Sequence, residues 1–172
     1  RQLLRENDRA IACELHPNEY QTLKQNFLGD YQVAIHHMDG FHGLKAFLPP
    51  AEKRGVVLID PPYEDPDEFS RIARQLPIAL KRFESGVYAI WYPIKEQSHV
   101  DTFYKTLKQS IDKPIFAMEL TIYPDIPQHL NGCGMAVINP PWQFDEIIKK
   151  NLLWAWNALS INGQGKFQAE YL

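Results

Sequence analysis

An α/β fold, with a mostly parallel sheet ending in an antiparallel hairpin, is what this sequence predicts. Short apolar runs alternate with amphipathic segments along most of the chain, the pattern of a parallel sheet covered by helices. Most of those runs are apolar throughout, as strands buried on both faces should be. The last two are joined by residues 124–134, which hold proline, asparagine and glycine but no helical period, so an antiparallel connection follows.

Taken in order, the strand candidates are residues 10–14, 33–37, 56–60, 87–91, 116–123 and 135–139. Between the first two, Tyr20, Leu23 and Phe27 fall on one helical face. A longer stripe of Phe69, Ile72, Leu76, Leu80 and Phe83 follows the third. Pro77 interrupts that stripe and is expected to kink or split its helix, because proline removes a hydrogen bond and crowds the preceding turn. Val100, Phe103, Leu107 and Ile111 mark another helix, and Phe144, Ile147, Ile148, Leu152, Trp156 and Leu159 mark the last. These stripes are read as core.

A chain of 172 residues, 45% hydrophobic and 23% charged, has the make-up of a folded globular protein and not of a disordered one. All of it, residues 1–172, reads as one catalytic domain. Cys13 and Cys133 match no zinc or redox spacing, which makes a reducing cytoplasm the simplest setting. Neither the charged N-terminus nor any apolar run suggests a signal peptide or a membrane span. The histidines, His16 and His36-His37 among them, show no metal or triad spacing, so no metal is expected. A formal charge of -3 disfavours broad, nonspecific nucleic-acid binding, though Lys53-Arg54, Arg71 with Arg74, and Lys81-Arg82 could form a local patch or simply solvated helix faces.

Gly55-Val56-Val57-Leu58-Ile59-Asp60-Pro61-Pro62-Tyr63 puts a carboxylate, two prolines and an aromatic ring where a buried strand reaches the carboxyl edge of the sheet. Ligands of open α/β sheets bind at that edge. Transfer of a methyl group to an exocyclic amine needs these groups, because the amine's lone pair is delocalised into the purine. If Asp60 accepts one amine hydrogen and a carbonyl of the proline pair accepts the other, the nitrogen is drawn toward tetrahedral geometry. Proline's fixed φ holds the carbonyl direction. Tyr63 offers a ring on which an extruded base stacks. The plainer reading, a turn of common turn residues after a strand, accounts less well for all four residues in that place.

Glu14 ends the first strand candidate and can accept hydrogen bonds from ribose hydroxyls; its alternative is a cap on the following helix. Asp39 can accept from an adenine amine, with Gly40 allowing close backbone approach, or it can be an ordinary helix N-cap. The glycine-rich loop that precedes such residues by about 20 positions is missing. With no initiator Met and a start that reads as the interior of a helix, the chain looks like a C-terminal fragment. A rival to Asp60 exists in Asn139-Pro140-Pro141-Trp142, which also follows an apolar run but lacks preceding strands with acidic ends. It is read as the end of the hairpin. Trp91-Tyr92-Pro93, placed at a strand end, is read as packing.

Parallel strands ending in a hairpin, with Asp-Pro-Pro-Tyr on one of them, form the layout of Rossmann-like S-adenosylmethionine-dependent methyltransferases. Glu14-Leu15-His16-Pro17, Asp39-Gly40-Phe41, Leu58-Ile59-Asp60-Pro61-Pro62-Tyr63, Trp91-Tyr92-Pro93 and Asn139-Pro140-Pro141-Trp142 together resemble the RlmJ-type bacterial adenine-N6 methyltransferases of 23S ribosomal RNA, over about residues 1–165. The resemblance implies catalysis by Asp60, base binding by Pro61, Pro62 and Tyr63, and contacts of Glu14, Asp39 and Gly40 with S-adenosylmethionine. It further implies a ribosomal RNA substrate and a first strand with a helical insertion lying before Arg1; apart from the resemblance, the chain is expected to be a monomer. Two alternatives stay open. A DNA adenine methyltransferase would use the same chemistry, since only groups outside the motif distinguish the sugar. A noncatalytic nucleic-acid-binding protein, linked to use of external DNA, would not need both Asp60 and Tyr63.

Overall fold

The computed structural model describes residues 1–124, 126–127 and 129–172; Asp125 and Gln128, in the predicted connection 124–134, lie outside the described residues. The chain divides into two compact units, Arg1–Pro49 and Pro50–Leu172.

In the first unit, β1 (Ala10–Glu14) and β2 (Val33–His37) pair in parallel, with Glu14 opposite His37, and are joined by α1 (Pro17–Asn26). Helix α2 (Gly40–Phe47) follows. Pro17 starts α1 at a position where its missing N–H is no loss. Residues 1–9 are turns and not the helix expected from sequence. They are pinned by the buried Gln32, whose side-chain amide nitrogen is aimed at the carbonyls of Arg5 (2.7 Å), Glu6 (3.0 Å) and Asp8 (2.7 Å). The Tyr20–Leu23–Phe27 stripe is only half-buried, because this small unit has nothing further to lay over α1.

The second unit contains β3 (Val56–Ile59), α3 (Glu68–Arg82), β4 (Val87–Ile94), α4 (Gln97–Ser110), β5 (Ile115–Thr121), β6 (Gly132–Ile138), α5 (Phe144–Leu159) and β7 (Lys166–Tyr171). Its sheet runs β3-β4-β6-β5-β7. Only β3 with β4 is parallel here; β4–β6, β5–β6 and β5–β7 are antiparallel. The sheet is therefore mixed, and the expectation of a mostly parallel one is corrected. β7 was not foreseen. Its alternation is masked by Gln, Glu and Lys, and it pairs at the sheet's edge, where half-exposed polar residues are tolerated.

The core lies where α3 and α4 meet β4 and β5. Ile72, Leu76, Tyr88, Ile90, Val100 and Leu107 are fully buried, as the α3 and α4 stripes predict, while Phe116, also fully buried, packs against Phe144 of α5 and Tyr171 of β7. Helix α3 stays one element through Pro77 and is not split; the hydrogen bond that proline forgoes is compensated by the buried apolar stripe on either side of it. Two expectations fail. β3 is buried on one face only, with Val56 71% and Leu58 66% exposed. Helix α5 has no fully buried residue, and Ile147 and Leu159 lie open.

Below this core, Glu119 is buried with no cation paired to it among the described residues. Its carboxylate accepts hydrogen bonds from Tyr104 (2.5 Å) and from the amides of Gln168 (2.8 Å) and Gln97 (3.4 Å), and Tyr104 also bonds the Tyr92 hydroxyl. Satisfied in this way, a charge can sit inside a fold.

Candidate active site

The candidate residues fall into two sets, one in each unit. In the first unit, β1 and β2 run parallel, so their carboxyl ends lie side by side and bring Glu14 near residues 38–40; the Met38 amide donates to the Glu14 carbonyl at 3.2 Å. The Glu14 side chain accepts from the His16 amide at 2.7 Å, which holds the carboxylate over the strand end. Asp39 caps α2, accepting from the amides of Phe41 (2.7 Å) and His42 (3.4 Å), so the plain N-cap reading is realised in the fold. Gly40 opens that helix, and a Cβ built there would meet nothing within 4 Å. The protein's own packing therefore does not require a glycine at this position. Cys13 lies beside this edge, its thiol pushed up by burial and then by the Asp39 charge, and its sulfur would lie 2.6 Å from a Cβ at Gly43.

In the second unit, β3 ends at Ile59, opposite Ile90, and Asp60-Pro61-Pro62-Tyr63 leaves the sheet there. Asp60 is exposed, and no hydrogen-bond partner meets its carboxylate among the described residues. Tyr63 takes the left-handed conformation, φ 53°. For a bulky side chain this costs about 1–3 kcal/mol and persists only where surroundings impose it. Here they do. The Tyr63 hydroxyl donates to the Trp91 carbonyl at 2.5 Å, and its ring packs against Phe69 (5.1 Å) and the edge of Trp91 (5.9 Å). Burial first, and then the charges of Asp60 and Glu68, push the phenol well above its usual range, so Tyr63 remains a neutral donor.

Trp91-Tyr92-Pro93 lies inside β4 and not beyond its end, which corrects the expected boundary. The cause is that β4 continues along β6 after β3 has stopped, pairing down to Ile94 with Gly132. Past Ile90 the β3 side of β4 lacks a strand, and the Tyr63 hydroxyl takes the Trp91 carbonyl instead. Glu68, missed in the sequence, is buried at the start of α3, its Oε1 without a hydrogen bond and 3.6 Å from the Arg71 guanidinium. The only sequence signal was an acidic residue in a helix's first turn, too common to single out.

Asn139-Pro140-Pro141-Trp142 is placed elsewhere. Ile138 pairs with Tyr88, near the start of β4, whereas Asp60 follows the pairing of Ile59 with Ile90. The two motifs thus leave opposite ends of the strands, about 13 Å apart along them at ~3.3 Å per residue. Asn139 is also left-handed, φ 54°, a conformation asparagine tolerates, and its amide donates to the carbonyls of Glu84 and Gly86, each at 2.9 Å. Its role is to pin a turn. Among the described residues, no group of three or more His, Cys, Asp or Glu side chains gathers that could hold a metal ion, and no helix is long and apolar enough to cross a membrane.

The family model described as "RsmJ: Ribosomal RNA large subunit methyltransferase D, RlmJ" matches residues 1–172. The chain belongs to this family. It is 39% identical over 172 residues to the ribosomal RNA large subunit methyltransferase J of Haemophilus influenzae, covering 99% of this chain and 61% of that protein. To the protein of the same name from Escherichia coli K12 it is 36% identical over 166 residues, covering 96% and 59%. The chain thus spans about three fifths of the length of these curated relatives. The crystal structure of protein LPL1258 from Legionella pneumophila matches with TM-score 0.89 at 34% identity, over 98% of this chain and 62% of that one. Spermidine synthase from Thermotoga maritima matches with TM-score 0.55 at 16% identity, over 83% of this chain and 51% of its own, a likeness of fold alone.

Proposed function

We propose that the protein carrying this chain transfers a methyl group from S-adenosylmethionine to the exocyclic N6 amine of an adenine in 23S ribosomal RNA. The observation that supports this best is the Asp60-Pro61-Pro62-Tyr63 turn at the end of β3, with Tyr63 held in a strained conformation by the Trp91 carbonyl, in a member of a ribosomal RNA methyltransferase family. Strain kept in place by a hydrogen bond and two rings is a reason to look for function at that turn.

In this reading the Asp60 carboxylate accepts one hydrogen of the target amine, and a proline carbonyl of the same turn accepts the other. The amine nitrogen loses conjugation with the ring and its lone pair becomes available. Pro61 and Pro62 fix the carbonyl directions before substrate arrives, so little reorganisation is left for the reaction itself. Tyr63 supplies a stacking face worth about 1–3 kcal/mol. A neutral phenol beside Asp60 adds no repulsion to the incoming base.

Glu14, Asp39 and Gly40 fit a nucleoside cofactor on one observation: two carboxylates stand on adjacent strand ends, and the glycine beside them has open space where a side chain would otherwise project. Glu14 would accept from ribose hydroxyls, and Asp39 would accept from an adenine amine while it caps α2. When bound, S-adenosylmethionine supplies an electrophilic methyl group.

The test is transfer of labelled methyl to protein-free 23S RNA and to DNA by the natural full-length protein and by its Asp60→Ala variant. RNA labelling that falls about 100-fold or more in the variant is expected, the scale of losing one transition-state acceptor. Labelling of DNA alone, or an Asp60→Ala protein with full activity, would overturn the reading.

A further inference from the structure

Beside the Asp-Pro-Pro-Tyr turn, the second unit contains a cavity of about 310 Å³ that the proposed chemistry does not use. Tyr63 forms one wall, and Phe69, Pro93 and Phe103 line it with apolar surface. The Phe69 and Phe103 rings stand 5.0 Å apart, and Phe103 is buried in the core, so this part of the cavity is rigid. Lys95 and His99 belong to its polar lining, with Asp65 and Glu96 interspersed. His99 lies 3.8 Å from the Glu96 carboxylate.

This distribution selects among ligands. A phosphate would meet the carboxylates of Asp65 and Glu96 along with the Lys95 ammonium, which opposes a net anionic guest. An aliphatic group would leave four ionisable side chains without a use. A nucleobase has apolar faces for the rings and prolines and an edge carrying both donors and acceptors, which Lys95 and the carboxylates can meet. The volume is near the lower end of small-molecule pockets, roughly 300–1,000 Å³, and suits a base more than a whole nucleotide. Because Tyr63 belongs both to this wall and to the turn that carries Asp60, the guest lies next to the target adenine.

We propose that this cavity is a subsite for the base flanking the target adenine in the substrate RNA strand, a proposal that rests on the RNA-methylation reading above. The flanking base enters against Phe69 and Phe103, and Lys95 donates to an acceptor on its edge. Single-stranded RNA is recognised in this way, by splayed bases on aromatic rings with polar groups reading their edges. The subsite would position the strand and contribute to sequence preference, while Asp60 acts on the neighbouring amine.

A double cycle on the natural full-length protein tests it. The RNA oligonucleotides hold one target adenine and either a complete flank or an abasic nucleotide at the 5′ or 3′ neighbour; the enzymes are wild type and Lys95→Ala. Lys95 is exposed, so its truncation leaves the core intact. The expected result is a KM for the complete oligonucleotide raised about tenfold by Lys95→Ala with kcat within about twofold, a similar rise for wild type with one of the abasic strands, and no further rise when both changes are combined. Tenfold corresponds to about 1.4 kcal/mol. An unchanged KM in Lys95→Ala, or effects that multiply on both abasic strands, would overturn the subsite. If wild type methylates none of the RNAs, the methyl-transfer reading fails by itself, and the same cycle read as binding by fluorescence anisotropy judges the cavity: the non-multiplying pattern supports it and the multiplying pattern overturns it.

Discussion

Replacing Asn139 isolates how much a side chain contributes by pinning a turn, and it separates the two Pro-Pro motifs experimentally. The Asn139 amide donates at 2.9 Å to the carbonyls of both Glu84 and Gly86, which tie the turn after α3 to the end of β6. Each such bond contributes about 1 kcal/mol net, somewhat less for the exposed one to Glu84. Alanine at φ 54° adds roughly 1 kcal/mol of left-handed strain that asparagine partly escapes. Asn139→Ala should therefore destabilise the second unit by about 2–3 kcal/mol. Asn139→Gly loses the same bonds without the strain and should be milder than alanine by about 1 kcal/mol. Urea unfolding followed by tryptophan fluorescence is the assay, since all 4 tryptophans, Trp91, Trp142, Trp154 and Trp156, lie in this unit. A loss under about 0.5 kcal/mol for alanine, or glycine as damaging as alanine, would refute the pinning role. Methyl transfer at a temperature where Asn139→Gly stays folded should match wild type, in contrast to Asp60→Ala.

Gly134→Ala should cost about 1–3 kcal/mol by overpacking, because a Cβ there would overlap the ring of the fully buried Tyr92, the residue it faces across β4 and β6; thermal unfolding measures it, and a neutral substitution would show the ring free to move. Spectrophotometric titration of the 8 tyrosines should be delayed, since burial lifts Tyr88 to about 12 and raises Tyr63, Tyr92 and Tyr104 further still. The neutral phenols are favoured in the folded state, so their stabilising contribution is complete below pH ~10 and lost as pH rises through the folded values; unfolding midpoints should fall steeply above pH ~10. All 8 tyrosines titrating near 10 in folded protein would contradict the burial.

Elements whose signal was local were legible in the sequence. Strands β1 and β2 keep the bounds read from the sequence, residues 10–14 and 33–37, and the α3 and α4 stripes are buried as their spacing requires, because burial of one helical face is the main force on an amphipathic segment. Asp60 could be singled out for the same reason: four residues of one chemical purpose followed one apolar run. Glu14 and Asp39 were read at the ends of successive runs, and β1 and β2 do place those ends side by side.

What depends on partners was not legible. An apolar run states that it can be buried, not whether anything is there to bury it, so the stripes of α1 and α5 and the outer face of β3 were misread as core. Strand direction is set by which chain segment lies alongside, and only the register of β4, β5, β6 and β7 showed a mixed sheet. The order of the runs already favoured Asp60 over Asn139, because two runs with acidic ends precede it, and the antiparallel pairing of β6 with β4 sends Asn139 to the opposite end of the strands. The strained Tyr63, its bond to Trp91 and the cavity beside it are likewise tertiary, since each depends on residues about 30 positions apart brought together by β4 outlasting β3. The identity and order of the side chains set the chemistry available to this protein, and packing selects which of those groups share an edge, because direction, register and cover are properties of pairs of segments.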